Sequence, residues 1–107
     1  MRVVLCNCPE NKAKDIAKTL VAEKIAACVN IIPGVQSFYY WQGKLCEEKE
    51  DTLLIKISKE NISYLYDRLK AVHPYEVPEI VELNVADANQ PYIQWLYQTK
   101  HHEVPSD

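Results

Sequence analysis

The sequence predicts a small α+β domain whose strands and helices follow the order β-α-β-β-α-β, with one more helix at the C-terminus. Three observations support this: four segments rich in β-formers, two segments with apolar residues at helical 3-4 spacing, and a Gln42-Gly43 pair between two strands. The chain has 107 residues, 48% of them hydrophobic and 25% charged, which is typical of one domain with its own core. We expect residues 1–107 to form that domain, with residues 100–107 as a flexible polar tail.

The first strand and the first helix are expected within residues 3–25. The run VVLCNC begins with β-branched residues and is closed by Pro9, which indicates a short buried strand. A helix should then cover residues 10–25, with the stem of Lys24 at the edge of its inner face. That apolar face consists of Ala13, Ile16, Ala17, Leu20 and Val21.

A long hairpin should follow. Its first strand is interrupted at Pro33-Gly34, which indicates an edge strand or a bulge because proline cannot donate to a sheet ladder. Gln42-Gly43 predicts a two-residue turn. The return strand covers residues 44–58, and one of its faces should be buried through Leu53, Ile55 and Ile57.

The second half of the chain repeats the pattern of helix and strand. A helix is expected over residues 59–73, ending before Pro74, with an inner face of Ile62, Leu65, Leu69 and Val72. A fourth strand should cover residues 78–87, with Val81, Leu83 and Val85 on one face. Pro91 should open the last helix, with Ile93 and either Leu96 or Tyr97 turned inward.

This order of elements is that of the ferredoxin-like sandwich, in which two helices cover one face of an antiparallel sheet. Right-handed crossovers place the first and third strands centrally and the second and fourth at the edges. An edge strand would therefore carry Phe38 and Tyr40 on one face and Tyr39 and Trp41 on the other. We expect these four aromatic residues to form a homo-oligomer interface, the alternative being a hairpin folded over its own core.

Composition and charge exclude several classes of protein. The net charge is −3 with only two arginines, which argues against nucleic-acid binding. The longest apolar runs are far shorter than a membrane span, and we find no secretion signal, so we expect a soluble cytoplasmic protein with reduced thiols. With only two glycines, the sequence has no phosphate-cradling glycine loop.

Two sequence blocks resemble the signatures of the CutA divalent-cation-tolerance family. They are AACVNIIPGVQSFYYWQGKL at residues 26–45 and HPYEVPEI at residues 73–80, and the similarity runs from about Val3 to Leu96. The resemblance implies a ferredoxin-like fold assembled as a compact homotrimer, similar in architecture to PII-type signalling proteins. It further implies a link to divalent-metal tolerance and copper binding in bacteria and to acetylcholinesterase anchoring in mammals. No established enzymatic reaction comes with the family.

The candidate metal ligands are Cys6, Cys8 and His73. Cys6 and Cys8 are two residues apart, so both thiols should lie on one strand face, where they suit Cu(I) or serve as small buried hydrophobes. The resemblance places Cys6 at the family's proposed copper-ligating cysteine. His73 could bind copper or cap the carbonyls of the second helix. Some bacterial relatives carry two histidines before this proline, whereas Val72 takes the first position here.

The second block forms a loop stiffened by Pro74 and Pro78. In an oligomer this loop could line a cleft between subunits, which Trp41 could approach from a neighbouring hairpin; otherwise it only directs the fourth strand. The residues of this candidate intersubunit cleft are Lys56, Tyr75, Glu76 and Glu79.

The remaining polar candidates have simpler explanations. We expect Cys28 in the core and Cys46 exposed. The acidic residues Glu47, Glu48, Glu50 and Asp51 could attract divalent cations, but a charge run is more often a solvated edge that discourages aggregation. His101 and His102 could bind metal only adventitiously on the tail.

Three functions follow from these observations. The first is a homotrimeric divalent-cation-tolerance protein that binds copper or a related metal ion, without a cofactor needed for folding. The alternative is a trimeric PII-like small-ligand sensor or signalling scaffold. An enzyme is disfavoured because no nucleophile with an oriented base is written in the sequence.

Overall fold

The computed structural model describes residues 1–99; the predicted tail, with His101 and His102, lies outside the described residues. The elements are β1 (Arg2–Cys8), α1 (Ala13–Ala22), β2 (Cys28–Trp41), β3 (Lys44–Ile57), α2 (Ile62–Val72, preceded by a 3-10 turn at Lys59–Asn61), β4 (Ile80–Asn84) and α3 (Gln90–Tyr97). The strands form one antiparallel sheet in the order β2-β3-β1-β4. The predicted order of elements and the central positions of β1 and β3 are confirmed.

One face of the sheet packs against α1 and α2 to form the core. Leu53, Ile55 and Ile57 are fully buried there, as predicted. The other members of the core cluster are Val4, Cys6, Cys8, Ala13, Ile16, Ala17, Leu20, Ile25, Ala26, Leu65 and Leu69. Within residues 1–99, no helix is both long and apolar enough to cross a membrane.

Helix α1 is shorter at both ends than the predicted 10–25. A turn precedes it, in which the Lys12 amide donates to the Pro9 carbonyl at 2.9 Å. The helix ends because Lys24 takes a left-handed conformation with φ of +58°. The Lys24 amide then bonds the Val21 carbonyl and the Ile25 amide bonds the Leu20 carbonyl, which is a Schellman termination. The expected place of Lys24 on the helix edge is therefore wrong.

The hairpin of β2 and β3 has the predicted turn and bulge. Gln42 and Gly43 both have positive φ, +53° and +80°, which is the signature of a type I′ turn. At Pro33-Gly34 the pairing shifts from Ile32–Thr52 to Val35–Glu50, so β2 carries one extra residue. Beyond this bulge, residues 35–50 continue past the end of β1, and we call this two-stranded extension the ribbon.

The C-terminal elements differ in detail from the prediction. Strand β4 covers only Ile80–Asn84, so Val85 lies beyond it. Val81 and Leu83 share a face as predicted, but they lie opposite Leu5 and Val3 on the face away from the core, and both are 42% exposed. Helix α3 has Pro91 in its first turn; of the residues predicted to point inward, Leu96 is buried, Ile93 half-buried and Tyr97 exposed.

Candidate functional site

A cavity of about 630 Å³ lies between the ribbon and the loop that joins α2 to β4, residues 73–79, which we call the pocket loop. The described residues that line it include three aromatic side chains and four carboxylates, and no lysine or arginine. They are Asn7, Tyr39, Trp41, Cys46, Glu48, Glu50, Pro74, Tyr75, Glu76, Val77 and Glu79. We call this cavity the acidic pocket. It combines apolar rings with negative charge, which favours a ligand that carries both an apolar part and a positive charge.

The structure brings together three of the four residues expected in the cleft. Tyr75, Glu76 and Glu79 line the acidic pocket, whereas Lys56 does not. Lys56 lies opposite Val3 in the sheet, and its amine donates to the side-chain oxygen of Asn30. Within one chain, Lys56 therefore serves a different region.

The four aromatic residues of the ribbon alternate as predicted. Tyr39 and Trp41 line the acidic pocket. Phe38 and Tyr40 lie on the other face of the ribbon, together with Leu45, and these three side chains are 57%, 75% and 70% exposed. The ribbon thus presents one face to the pocket and an apolar face to its surroundings.

Glu50 is a buried carboxylate that the sequence reasoning missed. It is only 6% exposed and accepts hydrogen bonds from the Tyr75 hydroxyl at 2.6 Å and the Ser37 hydroxyl at 2.8 Å. Asp51, 7% exposed, accepts one from the Gly34 amide at 3.2 Å and so fixes the bulge. The expected solvated edge is therefore wrong for these two residues, because each carboxylate is held by donors from β2 or the pocket loop.

The phenols around the pocket are held in their protonated form. A hydrogen bond from Tyr39 to Glu48, 2.7 Å long, raises the pKa of Tyr39 to about 12, with smaller effects from burial and nearby charges. Burial, and next the bond to Glu50, raises the pKa of Tyr75 well above its usual value. Both hydroxyls therefore remain donors to carboxylates at neutral pH.

Asn7 joins the pocket loop to the end of β1. The β1–β4 pairing ends at Cys6–Ile80, so the Asn7 carbonyl has no partner on β4 and accepts instead from His73 Nε2 at 2.8 Å. The Asn7 amide group donates to Glu79 at 3.3 Å, and its side-chain oxygen accepts from the Thr52 hydroxyl at 2.7 Å. These bonds tie the loop to both central strands.

His73 is the first residue of the pocket loop and is itself buried. Its Nδ1 accepts the backbone N–H of Tyr75 at 3.1 Å, and the two rings lie 4.8 Å apart between centroids. The imidazole thus contacts β1 and the pocket loop. Among the described contacts it forms no hydrogen bond with a carbonyl of α2, so the expected capping of that helix is not seen.

Cys6 and Cys8 both point into the core, as their spacing predicts, and both are fully buried. Burial, reinforced by Cys8, Glu79 and Glu50, raises the pKa of Cys6 to about 12. Burial, and then Asp51 and Glu50, raises the pKa of Cys8 to about 11. The two thiols are therefore neutral at pH 7, and a metal ion would have to displace their protons.

The candidate metal ligands lie in neighbouring parts of the fold but do not form a complete metal-binding site. Cys6 and Cys8 flank Asn7, whose carbonyl His73 contacts. Within residues 1–99, however, no three side chains of His, Cys, Asp or Glu are arranged to hold a metal ion. The other two thiols also differ from expectation: Cys28 is half-buried opposite Lys56, outside the core cluster, and half-buried Cys46 lines the pocket.

Comparison with known proteins identifies similar chains. The family model described as CutA1 divalent ion tolerance protein matches residues 2–99. The divalent-cation tolerance protein CutA of Thermus thermophilus is 50% identical over 95 residues, which are 88% of this chain and 92% of that protein. Human protein CutA is 45% identical over 85% of this chain, which spans only 51% of the human protein. The structure of the PII-like protein CutA from Nostoc sp. has a TM-score of 0.90 at 39% identity, over 95% of this chain and all of that one.

Proposed function

The chain belongs to the CutA1 divalent ion tolerance family, and we propose that it acts in divalent-cation tolerance as a non-catalytic homotrimer that binds copper or a related metal ion. The observation that carries the metal proposal is the position of His73. Its Nε2 forms a hydrogen bond with the carbonyl of Asn7, the residue between Cys6 and Cys8. Thiolates and imidazole together suit Cu(I). We further propose that copper has no role in folding, because the core cluster consists of hydrophobic side chains packed between the sheet and the helices.

The trimer proposal rests on the surfaces that one chain leaves exposed. Strand β2 is an edge strand, the ribbon carries Phe38, Tyr40 and Leu45 in the open, and β4 exposes Val81 and Leu83. An edge strand with such aromatic residues favours pairing with another copy. In the proposed trimer, Phe38, Tyr39, Tyr40 and Trp41 lie at the interface, and Lys56 would reach a cleft only from a neighbouring subunit.

Anaerobic titration with Cu(I) against a competing chelator tests the metal proposal. We expect stoichiometric binding by the wild-type chain, with loss of affinity in Cys6→Ser and His73→Ala. Cys46→Ser is the matched control, because that thiol lies in the pocket and outside the proposed ligand set. Wild-type affinity for Cu(I) in both variants would contradict the proposed metal site. A monomer in sedimentation at micromolar concentration would contradict the proposed trimer.

A second candidate function is a small-ligand sensor, which the acidic pocket and the likeness to the PII-like Nostoc protein favour. The buried Glu50 has hydroxyl donors but no ion pair with a lysine or arginine among the described residues, so a cationic group would compensate its charge. A thermal-shift screen distinguishes the candidates: amines that stabilise the wild type but not Glu50→Gln favour the sensor, and stabilisation by metals alone favours the metal protein.

A further inference from the structure

We propose that His73 is the positioning residue of the pocket loop, residues 73–79, and that it can bind a metal ion only by releasing this loop. The first half stands on hydrogen bonds within the chain. The second half rests on the metal binding proposed above.

The two contacts of the imidazole define one neutral tautomer. A backbone N–H can only donate, so Nδ1 of His73 must accept from Tyr75 and carry no proton. The proton of the neutral ring is then on Nε2, which donates to the carbonyl of Asn7, an acceptor only. Both ring nitrogens are thus engaged, one with the loop and one with β1.

The pocket loop depends on the His73 ring through Tyr75, whose side chain lines the acidic pocket. Tyr75 is held at its backbone by Nδ1, at its ring by the tilted contact with the imidazole, and at its hydroxyl by Glu50. Two of the three contacts are made by His73. The bond between Asn7 and Glu79 holds only the far end of the loop.

A metal ion needs a lone pair, and either nitrogen offers one only at the expense of Tyr75. A metal at Nδ1 takes the lone pair that now accepts the Tyr75 N–H. A metal at Nε2 displaces the proton from that atom, and the neutral ring then carries its proton on Nδ1, where it opposes the same N–H. Both routes break the bond between His73 and Tyr75, so metal capture by His73 and an ordered pocket loop exclude each other.

Amide exchange followed by NMR on the full chain tests the positioning role. We expect the Tyr75 amide to exchange about tenfold faster in His73→Ala than in the wild type, because its acceptor is lost. His73→Asn should restore most of the protection, since an asparagine side-chain oxygen accepts an N–H two residues on. The Leu53 amide in the central strand is the internal control for general unfolding. The ring ¹⁵N shifts of the wild type should show the proton on Nε2.

Unchanged Tyr75 exchange in His73→Ala, or a proton found on Nδ1, would overturn the positioning role. For the metal half, Cu(I) should accelerate Tyr75 exchange in the wild type and leave His73→Asn unchanged. Cu(I) bound with His73-dependent affinity while Tyr75 stays protected would overturn the exclusion. If Cu(I) does not bind at all, the metal half falls with the function proposed above, and the variants alone still decide the positioning role.

Discussion

Leu53 and Leu45 lie on the same strand, eight residues apart and hence on the same face, yet one is fully buried and the other is 70% exposed. The difference arises because α1 and α2 cover only the part of that face that belongs to the four-stranded sheet. The sheet half of the hairpin is completed by its own chain. The ribbon half carries the same kind of apolar residue but is not covered by α1 or α2, which is typical of a surface that binds another molecule.

The largest expected effect comes from comparing these two leucines directly. Leu53→Ala should lower the free energy of unfolding by about 3–5 kcal/mol, because it leaves a cavity among buried neighbours. Leu45→Ala should change the stability of the single chain by less than about 0.5 kcal/mol. Urea denaturation of both variants at low protein concentration measures the contrast. Equal losses would mean that the ribbon is covered as fully as the core.

Trp41→Ala tests whether a second copy covers the ribbon. Trp41 is 50% exposed in the single chain, so burying the rest of the ring in an interface would contribute about 2–3 kcal/mol. We expect the variant to weaken association, and its loss of stability to grow with protein concentration relative to the wild type. Sedimentation and thermal unfolding over a hundredfold range of concentration provide the measurement. A concentration-independent effect would assign Trp41 to the pocket alone.

Alkaline pH should destabilise the core through the buried thiols of β1. The folded pKa values of Cys6 and Cys8, about 12 and about 11, lie above the ordinary value of 9.0, so the folded chain retains protons that the unfolded chain releases. Stability is then full below pH 9 and falls as the pH rises toward 11–12, by about 1 kcal/mol per thiol between pH 9 and 10. Urea midpoints across this range should show the slope, and Cys6→Ala should reduce it. An unchanged slope in that variant would contradict this account.

The smallest expected effects come from the two described non-glycine residues with positive φ, Lys24 at the end of α1 and Gln42 at the ribbon tip. Lys24→Gly should raise the free energy of unfolding by about 0.5 kcal/mol, since glycine takes the left-handed conformation at the end of α1 without steric cost. Gln42→Asn, at the ribbon tip, should give a gain of a few tenths of a kcal/mol. Thermal unfolding of each variant checks these gains, and a loss at Lys24 would show that its side chain contributes more than its backbone costs.

The sequence predicted the features that depend on local pattern. The order of elements, the turn at Gln42-Gly43, the buried face of Leu53, Ile55 and Ile57, and the alternation of the ribbon aromatics all follow from periodicity and turn chemistry. The end of α1 was not predictable in this way, because lysine rarely takes the left-handed conformation that stops it.

The polar connections of the site were harder to predict, because they depend on register between distant segments. Glu50 lies in a run of acidic residues and looks like its neighbours until Ser37 and Tyr75 are placed beside it. Asn7 looks like an ordinary strand residue until it is known that the β1–β4 pairing stops one residue short of it, at Cys6–Ile80. The face of Tyr39 could have been read from alternation and from the two-residue turn at Gln42-Gly43, which pairs Tyr39 with Cys46 and so places Glu48 and Glu50, but not Glu47, on that face.

The bulge at Pro33-Gly34 accommodates one extra residue of β2 and thereby determines which side chains share each face of the ribbon. Because β2 has this extra residue, Tyr39 and Trp41 share the face of Glu48 and Glu50. If the same sequence paired without a bulge, Phe38 and Tyr40 would lie on that face instead. The hydrogen bond from the Gly34 amide to the Asp51 carboxylate stabilises the bulge. A single-residue deletion there would remove the bulge but leave residues 35–41 paired with residues 44–50 as the turn at Gln42-Gly43 sets them, so the ribbon would keep its two surfaces. A single-residue deletion between residues 32 and 35 should therefore be tolerated better than one between residues 36 and 41, which would move side chains on one side of the deletion to the opposite face.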